Sequence, residues 1–144
     1  MPSTILDTSV IIAFKPNPLP GSPFCVVVIQ ELMAGASDGS ELRYWEATAK
    51  KLEKEKRLLV PTTEDWLLAG RVLNLLLRGL RSRRDGRTPK MHPDEKQRII
   101  RDVLIARCVR RVNGLLVTNN LKDFERITKF CDVRLQSGSE FFSL

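Results

Sequence analysis

Strands alternating with helices along 144 residues predict a single α/β domain built on a parallel sheet. Three observations carry that expectation. Short apolar runs rich in β-formers, Phe24–Val28 and Leu115–Thr118, read as strands buried on both faces. The stretches between strand candidates are long enough to be helical crossovers, as parallel pairing requires. Hydrophobic content of 42% with 28% charged residues fits an ordinary globular chain that can bury a sizeable core.

Ser3–Asp7 is a first strand ending in an acid, with Thr8 and Ser9 as natural caps before a helix over Val10–Phe14. Pro16, Pro18, Pro20, Gly21 and Pro23 make the next segment a loop. After the second strand, Phe24–Val28, a short helix is expected over Gln30–Ala36, with Glu31 in its first turn. Glu41–Arg57 is a charge-rich helix with Leu42, Trp45, Ala49 and Leu52 on one side, and Leu58–Pro61 is a third strand candidate. Thr63–Gly79 follows as a helix with a broad apolar face (Trp66, Ala69, Leu73, Leu76, Leu77), wide enough to pack on a sheet and on a second chain. Trp45 and Trp66, spaced among leucines, are expected in the core. Arg81–Pro93, with four arginines and a lysine, reads as a basic mobile loop. Arg98–Ile127 then reads as a long helix, a stop at Gly114, a fourth strand at Leu115–Thr118 and a further helix start. A fifth strand at Val133–Gln136 and a terminal turn at Glu140–Phe142 complete the chain.

A net charge of +7 points to a polyanionic partner, nucleic acid before an acidic protein. Cys25, Cys108 and Cys131 lack Cys-x-x-Cys spacing and read as small buried residues of a reducing compartment. With His92 as the sole histidine, a zinc site or a Ser-His-Asp triad has little to work with. No run of apolar residues suits a signal peptide or a bilayer span, so the expected location is cytoplasmic, with no membrane contact.

Asp102 is the most informative acid. Stepping from it at helical spacing, Ile99, Ile105, Ala106 and Val109 share its face, the face that a core would bury. It sits too far from the helix start to be a cap, and a carboxylate buried there needs a donor, an opposite charge or a metal. In a parallel sheet, ligands bind beyond the carboxyl ends of the strands. Asp7 ends strand one, Glu31 follows strand two, and Asn120 and Asp123 follow strand four, so acids distant in sequence can meet at one edge. Several carboxylates together stay ionised only with positive charge among them, and Mg²⁺ or Mn²⁺ is the hard cation suited to oxygen ligands. Blander roles stand beside these: Asp7 before Thr-Ser as a capping turn, Glu31 as a helix-dipole residue, Asn120 with Asp123 as a capping pair, Asp102 bridged to Arg98, and the basic loop as a solvated surface.

ILDTSVIIA at Ile5–Ala13, VVIQELMAG at Val27–Gly35 and DVLIARCVRRVNGLLVTNNLKDF at Asp102–Phe124 together resemble a PIN domain, most of all the single-domain toxin ribonucleases of the VapC type. The resemblance implies a five-stranded parallel sheet of order 3-2-1-4-5 with helices on both faces, spanning residues 1–144 as one domain. It implies metal-dependent hydrolysis of RNA with Asp7, Glu31 and Asp102 as metal-binding acids. The fourth acidic position falls on Asn120, an amide common in toxin members, where Asp123 would help complete the site. Thr8, Ser9 and Thr118 would offer hydroxyls to the phosphate or to a metal-bound water. A small antitoxin and a second copy of the chain are the implied protein partners.

The alternative reading is an inactive PIN-like module that binds RNA or protein, for which Asn120 is the support. A phosphatase of the haloacid dehalogenase type wants an acid where Ser9 stands, a receiver domain wants acids before Asp7, and a P-loop is absent.

Overall fold

The structure is a computed structural model that describes residues 3–16, 21–82 and 90–143. The elements in order are β1 (Thr4–Leu6), α1 (Thr8–Phe14), β2 (Phe24–Cys25), α2 (Val26–Ala34), α3 (Gly39–Lys54), β3 (Leu58–Leu59), α4 (Thr63–Ser82), α5 (Pro93–Arg111), β4 (Leu115–Thr118), α6 (Leu121–Glu125), β5 (Arg134–Ser137) and α7 (Gly138–Phe142). The chain is α/β with parallel pairing throughout the described strands, as expected.

The single five-stranded sheet is not found. β1, β4 and β5 form one sheet in the order β1-β4-β5, and β2 pairs with β3 in a separate ribbon. β1 and β2 touch but share no ladder among the described residues. The cause lies at Val26, where the apolar run leaves the strand and becomes helix, so that only Phe24 and Cys25 pair with Leu58 and Leu59. Periodicity cannot separate a buried strand from a buried helix when every residue is apolar. Val27, Val28, Ile29 and Leu32 are all buried, and this burial outweighs the β preference of the valines. Glu31 is consequently the sixth residue of α2, beyond the first turn, and the helix-dipole role expected for it does not apply.

Successive strand residues point to opposite faces, and each face of the three-stranded sheet carries its own core. Ile5 and Leu116 pack with Val28, Ile99, Ile105, Val109 and Phe124. Leu6 and Val117 pack with Val10, supported by Phe141 and Phe142. The helices therefore cover both faces. Gly114, expected as a helix stop, is needed for close approach: a Cβ there would lie 2.7 Å from Ile5 Cδ1 and 3.0 Å from the Ser3 carbonyl. Its neighbour Asn113 takes the left-handed conformation, φ 51°.

α4 extends to Ser82, past the expected end at Gly79, and α5 begins at Pro93 with the His92 side chain accepting from the Asp94 N–H (3.1 Å). Residues 83–89 of the expected basic loop lie outside the described residues. Trp45 packs against the core as expected, but Trp66 is 55% exposed and Leu67 57% exposed. α4 buries Ala69 and Val72 against its neighbours and leaves this other side open. The three cysteines are free and buried.

α4 and α5 are clamped by a carboxylate that sits in the first turn of α4 and carries no motif of its own. Asp65, fully buried, accepts from Arg107 Nε at 3.1 Å, from Arg111 Nη2 and from the Thr62 N–H at 2.9 Å, and its own N–H donates to Thr62 Oγ1 at 3.3 Å. Burial pushes its carboxyl upward, but the hydrogen bonds from Arg111, the Thr62 amide and Arg107 prevail and hold it below the ordinary 3.8. A depressed carboxylate pKa stabilises the fold above the ordinary value and loses that contribution as pH falls through the folded one. Asp65→Ala is expected to cost about 3 kcal/mol in urea denaturation near neutral pH, the low end for breaking a buried pair because both arginines keep contact with water. The deficit against wild type should shrink as the pH drops below about 4.

Candidate active site

The parallel register builds the site. Leu6 stands opposite Val117, so the next residues, Asp7 and Thr118, emerge side by side at the carboxyl ends of β1 and β4. The Asp7 N–H donates to the Val117 carbonyl at 2.9 Å. Thr118 Oγ1 donates to Asp7 Oδ2 at 2.7 Å, and Ser9 Oγ donates to the same oxygen at 3.0 Å. Asp7 occupies the N-cap position of α1 but makes no side-chain cap bond. The capping reading therefore fails for its carboxylate, whose Oδ1 accepts no hydrogen bond from the described residues.

α5 brings Asp102 to the same place. Ile99, Ile105, Ala106 and Val109 are fully buried and Asp102 is 9% exposed, as the helical spacing predicted. Asp102 forms no ion pair and no side-chain hydrogen bond among the described residues, so the expected bridge to Arg98 is absent. α2 adds Glu31, half-buried, and the turn after β4 adds Asn120. A pocket of about 220 Å³ is lined by Asp7, Glu31, Asp102 and Asn120 together with Ser9, Arg98 and Arg101. Two larger cavities, of about 390 and 480 Å³, lie elsewhere. The first is mainly apolar and without acids; the second, between α4, α5, α6 and the turn after it, holds Glu95 and Glu125, and Glu95 there is already paired with Arg126 at 2.8 Å.

Asn120 caps α6 only by its backbone position. Its side chain makes no cap bond, and its N–H donates to Thr118 Oγ1 at 3.0 Å. Asp123 does not line the pocket, although its charge reaches Asp102. The residues missed in advance are Arg101 and the pocket role of Arg98. Arg98 precedes Asp102 by four residues and so shares its helix face, a signal available from spacing alone.

The electrostatics of the pocket are unbalanced. Burial first, then the like charges of Asp7, Asp123 and Glu31, push the Asp102 carboxyl up from 3.8 to about 8, against the opposing pull of Arg101. Glu31 is also raised, by burial and by Asp7, against Arg101 and Thr8. The Thr8 hydroxyl falls outside hydrogen-bond geometry and is buried without a partner. Crowded carboxylates, an orphaned hydroxyl and no soft ligand make a donor set suited to a hard cation. Among the described residues no three acidic, histidine or cysteine side chains stand close enough together to hold an ion directly.

Fold and pocket together describe an α/β domain with acids gathered at the carboxyl ends of its parallel strands. Among solved structures, the chain is similar to VapBC-1 from nontypeable Haemophilus influenzae, with 22% identity, TM-score 0.54, and coverage of 94% of this chain and 98% of that one. It is likewise similar to DNA-bound VapBC from Salmonella typhimurium, at 22% identity and TM-score 0.57 over 96% and 99% of the two chains. VapBC2 from Rickettsia felis, bound to a DNA fragment from its promoter, matches at 18% identity and TM-score 0.54 over 93% and 97%. Identities this low establish likeness of fold. No family model and no curated protein matches the chain.

A carboxyl raised from 3.8 to about 8 binds its proton in the folded state across a range where the unfolded chain has lost it. Without divalent metal, stability should therefore fall as pH rises from about 4 toward 8, by an amount on the order of a few kcal/mol. Asp102→Asn should flatten that decline, giving in EDTA a higher Tm than wild type at pH 8 and a similar one at pH 4. An equal decline in both proteins would place the buried charge elsewhere.

Proposed function

We propose that this chain is a divalent-metal-dependent ribonuclease and the toxin of a toxin–antitoxin pair. The observation that carries the reading is the convergence of Asp7, Glu31 and Asp102, from β1, α2 and α5, on one pocket edged by Arg98 and Arg101. Asp7 and Asp102 would hold Mg²⁺ or Mn²⁺, directly or through water, with Glu31 beside them, Asn120 on the pocket wall and Asp123 adding negative charge from outside it. An ion bound there would acidify a water and offset charge on the non-bridging phosphate oxygens.

The chain's own residues supply the rest. The Thr118 and Ser9 hydroxyls fix one oxygen of Asp7 and leave the other available. Glu31, half-buried with a raised pKa, is suited to orient the attacking water and take its proton. Arg98 and Arg101 offer positive charge where a phosphodiester would lie, and the net charge of +7 favours a polyanion. The likeness to VapBC complexes supports a small antitoxin as partner. The exposed Trp66 and Leu67 on α4, with Val60 also exposed, support a second copy of the chain as another.

The purified chain should cleave structured RNA in Mg²⁺ or Mn²⁺ and lose that activity in EDTA. Asp7→Asn and Asp102→Asn should each lower kcat/KM by more than the roughly 10–100-fold that loss of an outer-shell partner costs. Cleavage surviving EDTA or either substitution would overturn the mechanism, and metal binding without cleavage of any RNA would favour the inactive module. Light scattering on Trp66→Glu should show a shift toward monomer relative to wild type; an unchanged mass would remove α4 from the dimer interface.

A further inference from the structure

The arginines of α5 divide into two kinds. Arg107 and Arg111 are hydrogen-bonded to the buried Asp65, which fixes them as part of the scaffold. Arg101, on the same helix and next to Asp102, makes no side-chain hydrogen bond among the described residues; its Nε stands 4.0 Å from Glu31 Oε2, with the two side chains 38% and 23% exposed. An ion pair this long and this wet costs little to break. Among the described residues no other ion pair reaches into the acidic pocket, and Arg98 on its wall has none at all.

We infer that Arg101 competes with the divalent cation for the pocket carboxylates, pairing with Glu31 in the metal-free protein and moving to an RNA phosphate when substrate arrives. The inference rests on the reading of the pocket as a metal-dependent RNA-cleaving centre. Arg101 is the positive charge that partly offsets both Glu31 and Asp102. A divalent ion among Asp7, Asp102 and Glu31 would repel the guanidinium while taking over its partner. A phosphodiester offers that guanidinium a better one, because a planar fork of N–H donors meets two phosphate oxygens at once. No covalent bond changes; one ion pair is exchanged for another. Arg101 would then do two jobs that oppose each other, weakening metal binding in the free protein and strengthening substrate binding in the loaded one.

That opposition is the test. Arg101→Gln should bind Mg²⁺ more tightly than wild type by calorimetry without RNA, by about two- to fivefold, the range of a partly exposed ion pair. The same variant should lose about tenfold or more in kcat/KM on RNA, the loss expected for a charge-assisted contact. Arg101→Lys should restore wild-type Mg²⁺ affinity, since it keeps the charge, while recovering only part of the RNA activity, since it lacks the fork. An unchanged Tm in both variants would show that the fold is intact. Mg²⁺ affinity that falls or stays level in Arg101→Gln would overturn the inference, as would unchanged cleavage. If wild type binds Mg²⁺ and cleaves RNA but the variant behaves in either of those ways, only the role of Arg101 fails. If wild type binds no Mg²⁺, the ribonuclease reading fails with it.

Discussion

A carboxylate buried without an opposite charge is the constraint around which the molecule is arranged. Asp102 lies on the inner side of α5 among isoleucines, valines and alanine, near Asp7, Glu31 and Asp123, with Arg101 pulling against them but not paired to it. A protein selected for stability alone would fill that position with an apolar residue or give the acid a fixed partner, since an uncompensated buried charge is among the costliest features a core can hold. Asp65 shows the contrast within the same helix pair: fully buried, it is satisfied by two arginines and a backbone amide. One acid is tied down and its pKa falls; the other is left open and its pKa rises.

The rigidity that makes this imbalance tolerable comes from short-range packing around the carboxyl ends of β1 and β4. Close approach at Gly114 seats the two strands, their register places Asp7 next to Thr118, and two hydroxyls hold one oxygen of Asp7. The Asp65 clamp fixes α5 against α4, which in turn fixes the height of Asp102. Stored electrostatic cost and a stiff frame are complementary, because like charges can be kept together only by a structure that does not relax away from them.

Much of the candidate site is legible in the sequence, for reasons particular to each residue. Asp102 announced itself because helical spacing assigns it a face and that face is otherwise wholly apolar. Asp7 was visible because it ends a strand. Glu31 reaches the pocket by another route than the sequence suggests: the apolar run reads as strand through Val28, whereas the helix begins at Val26 and carries Glu31 in its middle. The capping roles weighed for Asp7 and Asn120 fail because capping depends on where one side-chain oxygen points, which residue type does not specify. Trp66 misled for a related reason, since a broad apolar face shows that burial is wanted somewhere without showing which part this chain itself covers.

The amino-acid order by itself determined the alternation of elements, the buried side of α5, the parallel pairing and the acids available at the strand ends. Each of these follows from periodicity, chain direction and chemical type, all of which are local properties. Only the tertiary structure decided that the strands divide into a three-stranded sheet and a separate pair, that Asp123 stands outside the pocket, and that Arg101 faces Glu31 while Arg107 and Arg111 hold Asp65. Those outcomes depend on distances between residues far apart in the chain, which packing sets and no local pattern encodes.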